Sequence, residues 1–187
     1  METMKLVSGS GSETEGACWM SALHWYTRNG KSWTDQPECV SLVIRSLCIN
    51  LNDRLLSDAD RERVIGPHLF APVGTNTGVD DEIKRAFLCA DRSVRVFAPY
   101  ALRAMGLEVE AVKLESLPAI VDEASAARAE SAESAASAAS AARAWGWYES
   151  QMIRLILDCC AVGKKAEVRP TKSQEEVVEF LCSFEKK

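Results

Sequence analysis

"TEGACWMSALHWY", residues 14–26, gathers a glutamate, a cysteine, a histidine, two tryptophans and a methionine into one short run. These residue types suit either a thiol active site around Cys18 and His24 or the buried face of a helix, and the choice sets the fold. Ser12 followed three residues later by Glu15 is a capping-box pattern, in which two side chains satisfy orphan N–H groups at a helix start. From there Cys18, Ala22, Trp25 and Tyr26 recur at helical spacing until Asn29-Gly30 ends the run. Residues six apart on a helix are separated by about 240° around its axis. Cys18 and His24 therefore point in different directions and cannot pair within that helix. The other histidine, His68, lies in a Gly/Pro-rich loop and could swing over Cys18 or Cys39 as the base that a cysteine nucleophile needs. Buried structural cysteine is the commoner use of the residue. The segment reads chiefly as core.

The same spacing runs through the rest of the chain. In "WTDQPECV" (33–40) Asp35 can cap a helix, Pro37 suits its first turn, and Glu38 favours the dipole. Val40, Val43, Ile44, Leu47 and Leu51 then form the clearest amphipathic stripe in the sequence. Ser57 with Asp60 opens a short charged helix that closes at Gly66-Pro67, and residues 66–78 read as an ordered loop. A further helix begins near Asp80 and turns Ile83, Phe87, Ala90, Val94 and Phe97 inward. Pro99 should break or kink it, leaving a continuation that closes at Gly106. "EVEAVKLESL" is another short helix, stopped by Pro118. Residues 123–145 are low-complexity Ala/Ser sequence, for which disorder and one long helix both stand. Alanine content and the run into "MIRLILDCCAV" favour the helix. Ser173 and Glu176 form a last capping box before Val177, Val178, Leu181 and Phe184. Alternating apolar runs are missing, so the expected fold is all-α: a helical bundle with one long Ala-rich helix. Residues 1–121 form its motif-bearing region and 122–187 its long and C-terminal helices, packed as one domain. A helix over 122–158 would span about 55 Å, longer than a compact domain of this size, about 40 Å. That predicts a homo-oligomer with this helix at the interface.

Composition narrows the function classes. The 187 residues carry a formal charge of -5, with 47% hydrophobic and 26% charged residues. This is an ordinary soluble balance without the broad cationic face that nucleic-acid binding uses. No apolar run approaches the length of a membrane span, and the N-terminus lacks the apolar core of a secretory signal. Seven cysteines without a CxxC pair argue for reduced thiols and a cytoplasmic setting, and against a structural metal site. No cofactor motif is present.

The candidate binding residues are Trp33, Thr34, Asp35, Arg45, Arg92 and Arg95. Trp33 either staples the corner before a helix or stacks on a ligand ring. Arg45, Arg92 and Arg95 are either solvated margins of their helices or the lining of an anion pocket; Asp91 and Arg95, at i and i+4, make a surface pair in the plain reading. "GTNTG" (74–78) lacks the Lys-Ser/Thr of a P-loop and follows no strand, so it reads as a turn before a helix, or as backbone N–H groups that hold an anion. No catalytic set is assigned. An enzyme reading would take Cys18 or Cys39 as nucleophile and His68 as base, with Glu15 or Asp35 in support.

The segments "EGACWM" (15–20), "WTDQPECVS" (33–41), "LND" (51–53) and "ADRSVRVFAPYALRAMGLEVEAVKLESLP" (90–118) resemble a family of small, functionally uncharacterised proteins encoded by tailed bacteriophages. The resemblance covers about Met4 to Pro118 and extends to an Ala-rich tract of variable length. The chain departs from the pattern at Leu42, where the family has proline, and in a tract without Ala-Ala-Trp repeats before Ala144-Trp145. The resemblance implies a phage accessory protein of the host cytosol that counters host defences. Such a protein would sequester a small anionic ligand, such as a cyclic nucleotide or an ADP-ribose derivative, or inhibit a host protein through a helical surface carrying Trp145 and Trp147.

Overall fold

The computed structural model describes residues 5–9, 11–12, 14–28, 30–126 and 145–163. It is largely helical, with seven α-helices and one two-stranded sheet among the described residues. The chain divides into two compact units, Met1–Gly78 with Ile156–Lys187, and Val79–Leu155.

The first unit opens with a hairpin in place of the expected helix start. Strand β1 (Gly11–Ser12) pairs antiparallel with β2 (Gly16–Ala17). One capping-box contact of Ser12 and Glu15 forms, Glu15 N–H donating to Ser12 Oγ at 3.2 Å, while the Glu15 carboxylate accepts the Ser12 hydroxyl at 3.2 Å in place of its backbone N–H. Here they close the turn between the strands. Two glycines decide the matter. Gly11 has φ +62°, and a Cβ there would clash with the Gly16 carbonyl oxygen; Gly16 has φ +115°, and a Cβ there would meet the Lys5 carbonyl oxygen at 2.6 Å. Lys5–Val7 runs along the other side of this pair, Ala17 donating to Lys5 O and Val7 to Ala17 O.

Helix α1 (Trp19–Thr27) therefore starts at Cys18, whose Sγ accepts the Ser21 N–H. Its first six residues are all buried, which settles the opening question: this segment is core. The chain leaves α1 through the expected glycine stop, Gly30 N–H donating to Trp25 O at 2.9 Å.

Helix α2 (Leu42–Arg54) begins at Ser41, later than Asp35 and Pro37 suggest. Ser41 Oγ accepts the Ile44 N–H. Residues 38–41 are held out of the helix by the loop at 74–78, where Ser41 N–H donates to Thr75 Oγ1 at 3.0 Å, Asn76 N–H to Cys39 O at 3.1 Å and Asn76 Nδ2 to Glu38 O at 2.8 Å. "GTNTG" is thus a clamp on the start of α2. Ile44, Cys48, Leu51 and Asn52 face inward. Helix α3 (Asp58–Ile65) has the expected Ser57–Asp60 box, Asp60 N–H donating to Ser57 Oγ at 3.1 Å. It passes into a 3₁₀ turn at Gly66–His68.

The polar centre of this unit is Asn52, fully buried. Its Oδ1 accepts the Trp19 N–H at 3.2 Å and its Nδ2 donates to Val7 O at 3.0 Å. Buried Arg61 donates from Nε to Asn52 O at 2.9 Å, from Nη2 to Leu55 O at 2.6 Å and from Nη1 to Asp58 at 3.0 Å. It thereby satisfies carbonyls at the end of α2 that no helical partner can reach.

In the second unit, helix α4 (Val79–Arg92) runs into a π-helical turn at Ser93–Phe97 and then α5 (Ala98–Ala104). Pro99 neither breaks nor ends the run. Proline supplies no N–H to the preceding turn, and the wider turn, with Ala98 N–H donating to Ser93 O, lets the helix continue through it. The extra residue also shifts the phase of the face. Val94 and Leu102 are core, Phe87, Ala90 and Ala98 pack on it, and Ile83 is 49% exposed rather than inward. α5 ends in a Schellman turn at Gly106 (φ +79°), Leu107 N–H donating to Leu102 O and Gly106 N–H to Arg103 O. This returns the chain as α6 (Glu108–Glu115), which adds Ala111 and Leu114 to the core. Residues 123–126 begin a helix on the Asp122–Ser125 cap. Helix α7 (Trp145–Ala161) follows. The tract between them, and the Ser173–Glu176 box, lie outside the described residues.

Replacing Asn52 with alanine strands the Trp19 N–H in the core and leaves the part-buried Val7 carbonyl without its donor. Each unpaired buried group costs about 1–3 kcal/mol, so Asn52→Ala should lower the melting temperature by about 5–15 °C. Asn50→Ala, on the exposed side of the same helix, should stay within roughly 0.5 kcal/mol of the parent. Paired thermal melts check both.

Candidate functional site

Of the sequence candidates in the first unit, Trp33, Thr34 and Asp35 lie on the segment that precedes α2 and Arg45 lies on the helix itself. Trp33 and Asp35 are half-buried. Thr34 Oγ1 accepts the Gln36 N–H at 3.1 Å and folds the segment into a local turn. Asp35 caps no helix, because the Ser41 cap and the loop clamp place the helix start six residues further on. Arg45 stands on the first turn of α2. Its Nε is buried without a hydrogen-bond partner, and no acidic side chain pairs with its guanidinium among the described residues. A half-buried guanidinium on the first turn of a helix, without an acidic partner among the described residues, has the chemistry to meet an anion.

Arg92 and Arg95 belong to the second unit. Arg92 is half-buried on the last turn of α4. Arg95 lies on the π turn, donating from Nη1 to Asp91 Oδ1 at 3.0 Å, while its Nε is buried without a hydrogen-bond partner. Asp91 also accepts the Ile120 N–H at 2.9 Å, so the pair is partly buried and ties residue 120 to α4 instead of lying on the surface. Trp147 is half-buried with its ring stacked on Tyr100; of Trp145 only the backbone is described.

Cys18 and Cys48 are buried in structural settings, and Cys39 is half-buried. Cys18 Sγ–H donates to Ser21 Oγ at 3.3 Å beneath the α1 cap. Burial pushes the Cys48 thiol well above its ordinary range, and the nearby Cys160 and Cys18 thiols add to the shift. A thiol held in its neutral form is a poor nucleophile. His68, in the 3₁₀ turn, has its pKa lowered by burial. Among the described residues no group of three or more His, Cys, Asp and Glu side chains is placed to hold a metal ion, and no helix is long and apolar enough to cross a membrane.

His24 positions the segment that leads to Trp33. Its Nε2 lies 2.7 Å from Ser32 Oγ. The tie bridges the end of α1 to the residue before Trp33. Sequence spacing gave no sign of it, because the hydroxyl partner is brought back only by the turn at Gly30.

No family model, curated protein or solved structure matches the chain.

Burial and the Arg28 charge hold the His24 pKa below the ordinary histidine value, against a smaller opposing effect of Glu38. The unfolded chain therefore takes up a proton at higher pH than the folded one. Stability is present above the unfolded histidine pKa and is lost as pH falls below it. Asp58 and Asp60, held below the usual carboxylate range chiefly by Lys5 and Ser57 respectively, stay ionised through that window. Between about pH 7.5 and about pH 5.5 the melting temperature should drop, and His24→Gln should reduce the drop. Melts of both proteins at the two pH values measure it.

Proposed function

We propose that the protein is a non-enzymatic binder that captures a small anionic ligand of the nucleotide class. In the setting that the phage resemblance implies, the ligand is a nucleotide immune signal and capture removes it from the host's defence. The observation that carries this reading is Arg45. In a chain of net charge -5, a half-buried guanidinium without an acidic partner among the described residues is costly unless an anion meets it. A buried Nε–H adds an unmet donor, and the planar fork of arginine matches two phosphate oxygens at once. Trp33, on the segment that leads into the same helix start, makes no ring contact or hydrogen bond among the described residues and suits a ligand ring. Arg95, with its own buried unpartnered Nε, is the corresponding candidate in the second unit. The setting of Cys18 beneath the α1 cap favours binding over catalysis by that thiol.

Thermal-shift titration with cyclic dinucleotides, cyclic trinucleotides and ADP-ribose tests the proposal. A ligand at about 100 times its Kd adds about 2.7 kcal/mol to stability, which corresponds to a rise of roughly 5–10 °C. At least one probe should produce that shift in the parent protein. Arg45→Ala should lose most of it, and Arg45→Lys should keep a part, as a point charge without the fork. No shift from any probe, or an equal shift in Arg45→Ala, overturns the proposal.

A further inference from the structure

The segment between α1 and α2 is fixed at both ends and held once between them. At its start Gly30 N–H donates to Trp25 O at 2.9 Å and Lys31 N–H to Arg28 O at 3.2 Å. Gly30 has φ +74°, and a Cβ there would lie 2.9 Å from the Trp25 ring, so this turn is closed tightly on the end of α1. At the other end Pro37 is buried, Val40 N–H donates to Pro37 O at 3.0 Å, and Asn76 holds the carbonyls of Glu38 and Cys39. Between these anchors, residues 32–36 make one hydrogen bond to another element among the described residues. It is the 2.7 Å contact of Ser32 Oγ with His24 Nε2. The bond of Thr34 with Gln36 is internal to the segment.

That single tie is made by a titratable ring. His24 is buried on α1, while Ser32 is exposed. The charged groups that act on the ring are Arg28, from the end of α1, and Glu38, from the segment before α2. Burial and Arg28 disfavour the protonated ring, and Glu38 favours it. Arg28 and Glu38 face each other at 3.7 Å with both side chains exposed, and a pair of that kind contributes little. A proton on His24 therefore puts an imidazolium in a buried place beside a guanidinium. Water reaches the ring at least cost from the side that Ser32 covers. Moving Ser32 breaks one hydrogen bond, whereas moving the ring disturbs a helix whose first six residues are buried. Local openings of this sort lie well below global unfolding in free energy. Trp33 follows Ser32 in the chain and moves with it, and the anchors on either side confine the motion to the segment.

We propose that residues 32–36 are a strap latched by His24: the neutral ring holds Ser32 and so sets the position of Trp33, and the protonated ring releases both. His24 and Ser32 are thereby positioning residues for the anion site, a role that rests on the ligand-capture reading, whereas the latch itself does not. Capture would weaken in acid.

The test is a pH titration of the full chain without ligand, from about pH 7.5 to about pH 5, followed by NMR through the indole N–H resonances. Trp33→Phe identifies the Trp33 resonance and His24→Gln the ring of His24. The Trp33 resonance should shift along the same curve as the His24 ring, while that of Trp19, whose indole is bonded to Leu69 O in the core, stays in place. His24→Gln should abolish the response. Ser32 is exposed, so Ser32→Ala should fold as the parent does. At the upper pH its Trp33 resonance should lie near the parent's low-pH position, and Ser32→Thr, which keeps the hydroxyl, should restore the parent position. A Trp33 resonance that ignores the His24 titration, or that shifts only together with Trp19, overturns the latch. So does a Ser32→Ala resonance in the parent position. These readings need no ligand, so they stand whether or not any probe stabilises the protein. With a probe that does, Ser32→Ala should lose part of the thermal shift and Ser32→Thr should keep it; an equal shift in Ser32→Ala overturns the positioning role.

Discussion

The carboxamide of Asn52 is the point at which the first unit is joined. An asparagine in a core is tolerated only when its donors and acceptor are met, and here the sites are filled by backbone from two distant stretches: the N–H of Trp19 and the carbonyl of Val7. The same residue's backbone carbonyl takes the Nε of Arg61. Three segments that carry no pairing preference for one another are thereby fixed in register: the N-terminal strand-like run, the start of α1, and the turn from α2 into α3. The indole of Trp19 extends the arrangement by donating to Leu69 O at 3.0 Å, which anchors the loop whose later part clamps the start of α2. The setting of Arg45 follows from this chain of ties, because α2 is placed from its C-terminal end by Asn52 and Arg61 and from its N-terminal end by Thr75 and Asn76.

The second unit is built on different terms. Its core is aliphatic and small, and its shape comes from backbone devices: a π turn that carries the helix through Pro99, and the Gly106 turn that folds α6 back. Arg95 takes no part in filling that core.

Much of the helical framework is legible in the sequence because its signals are local. The Ser57–Asp60 box, the Gly30 and Gly106 stops and the stripe through Ile44 and Leu51 each act within a few residues. The hairpin is not legible for the same reason. Ser12 Oγ accepts the Glu15 N–H as the spacing implies, but that bond fits a tight turn as well as a helix start, and only the approach of Lys5 and of Gly11 to Gly16 selects between them. The start of α2 is misplaced by sequence because Asp35 and Pro37 satisfy local rules that Thr75 and Asn76, more than thirty residues on, override. Asn52 reads as an ordinary polar residue beside an apolar stripe, since its partners Trp19 and Val7 are remote. Arg45 can be singled out as a cation flanking that stripe, whereas the enclosure of its Nε belongs to the folded structure alone.

The central claim, that the first unit depends on the buried tie at Asn52, is tested most directly by native-state hydrogen exchange at the Trp19 amide. Trp19 heads its helix and has no intrahelical acceptor, so without the Asn52 carboxamide its N–H would exchange through local fraying. The account predicts that it exchanges as slowly as the amides of Ala22 and Leu23, through global unfolding only. Exchange at Trp19 orders of magnitude faster than at those residues would contradict it.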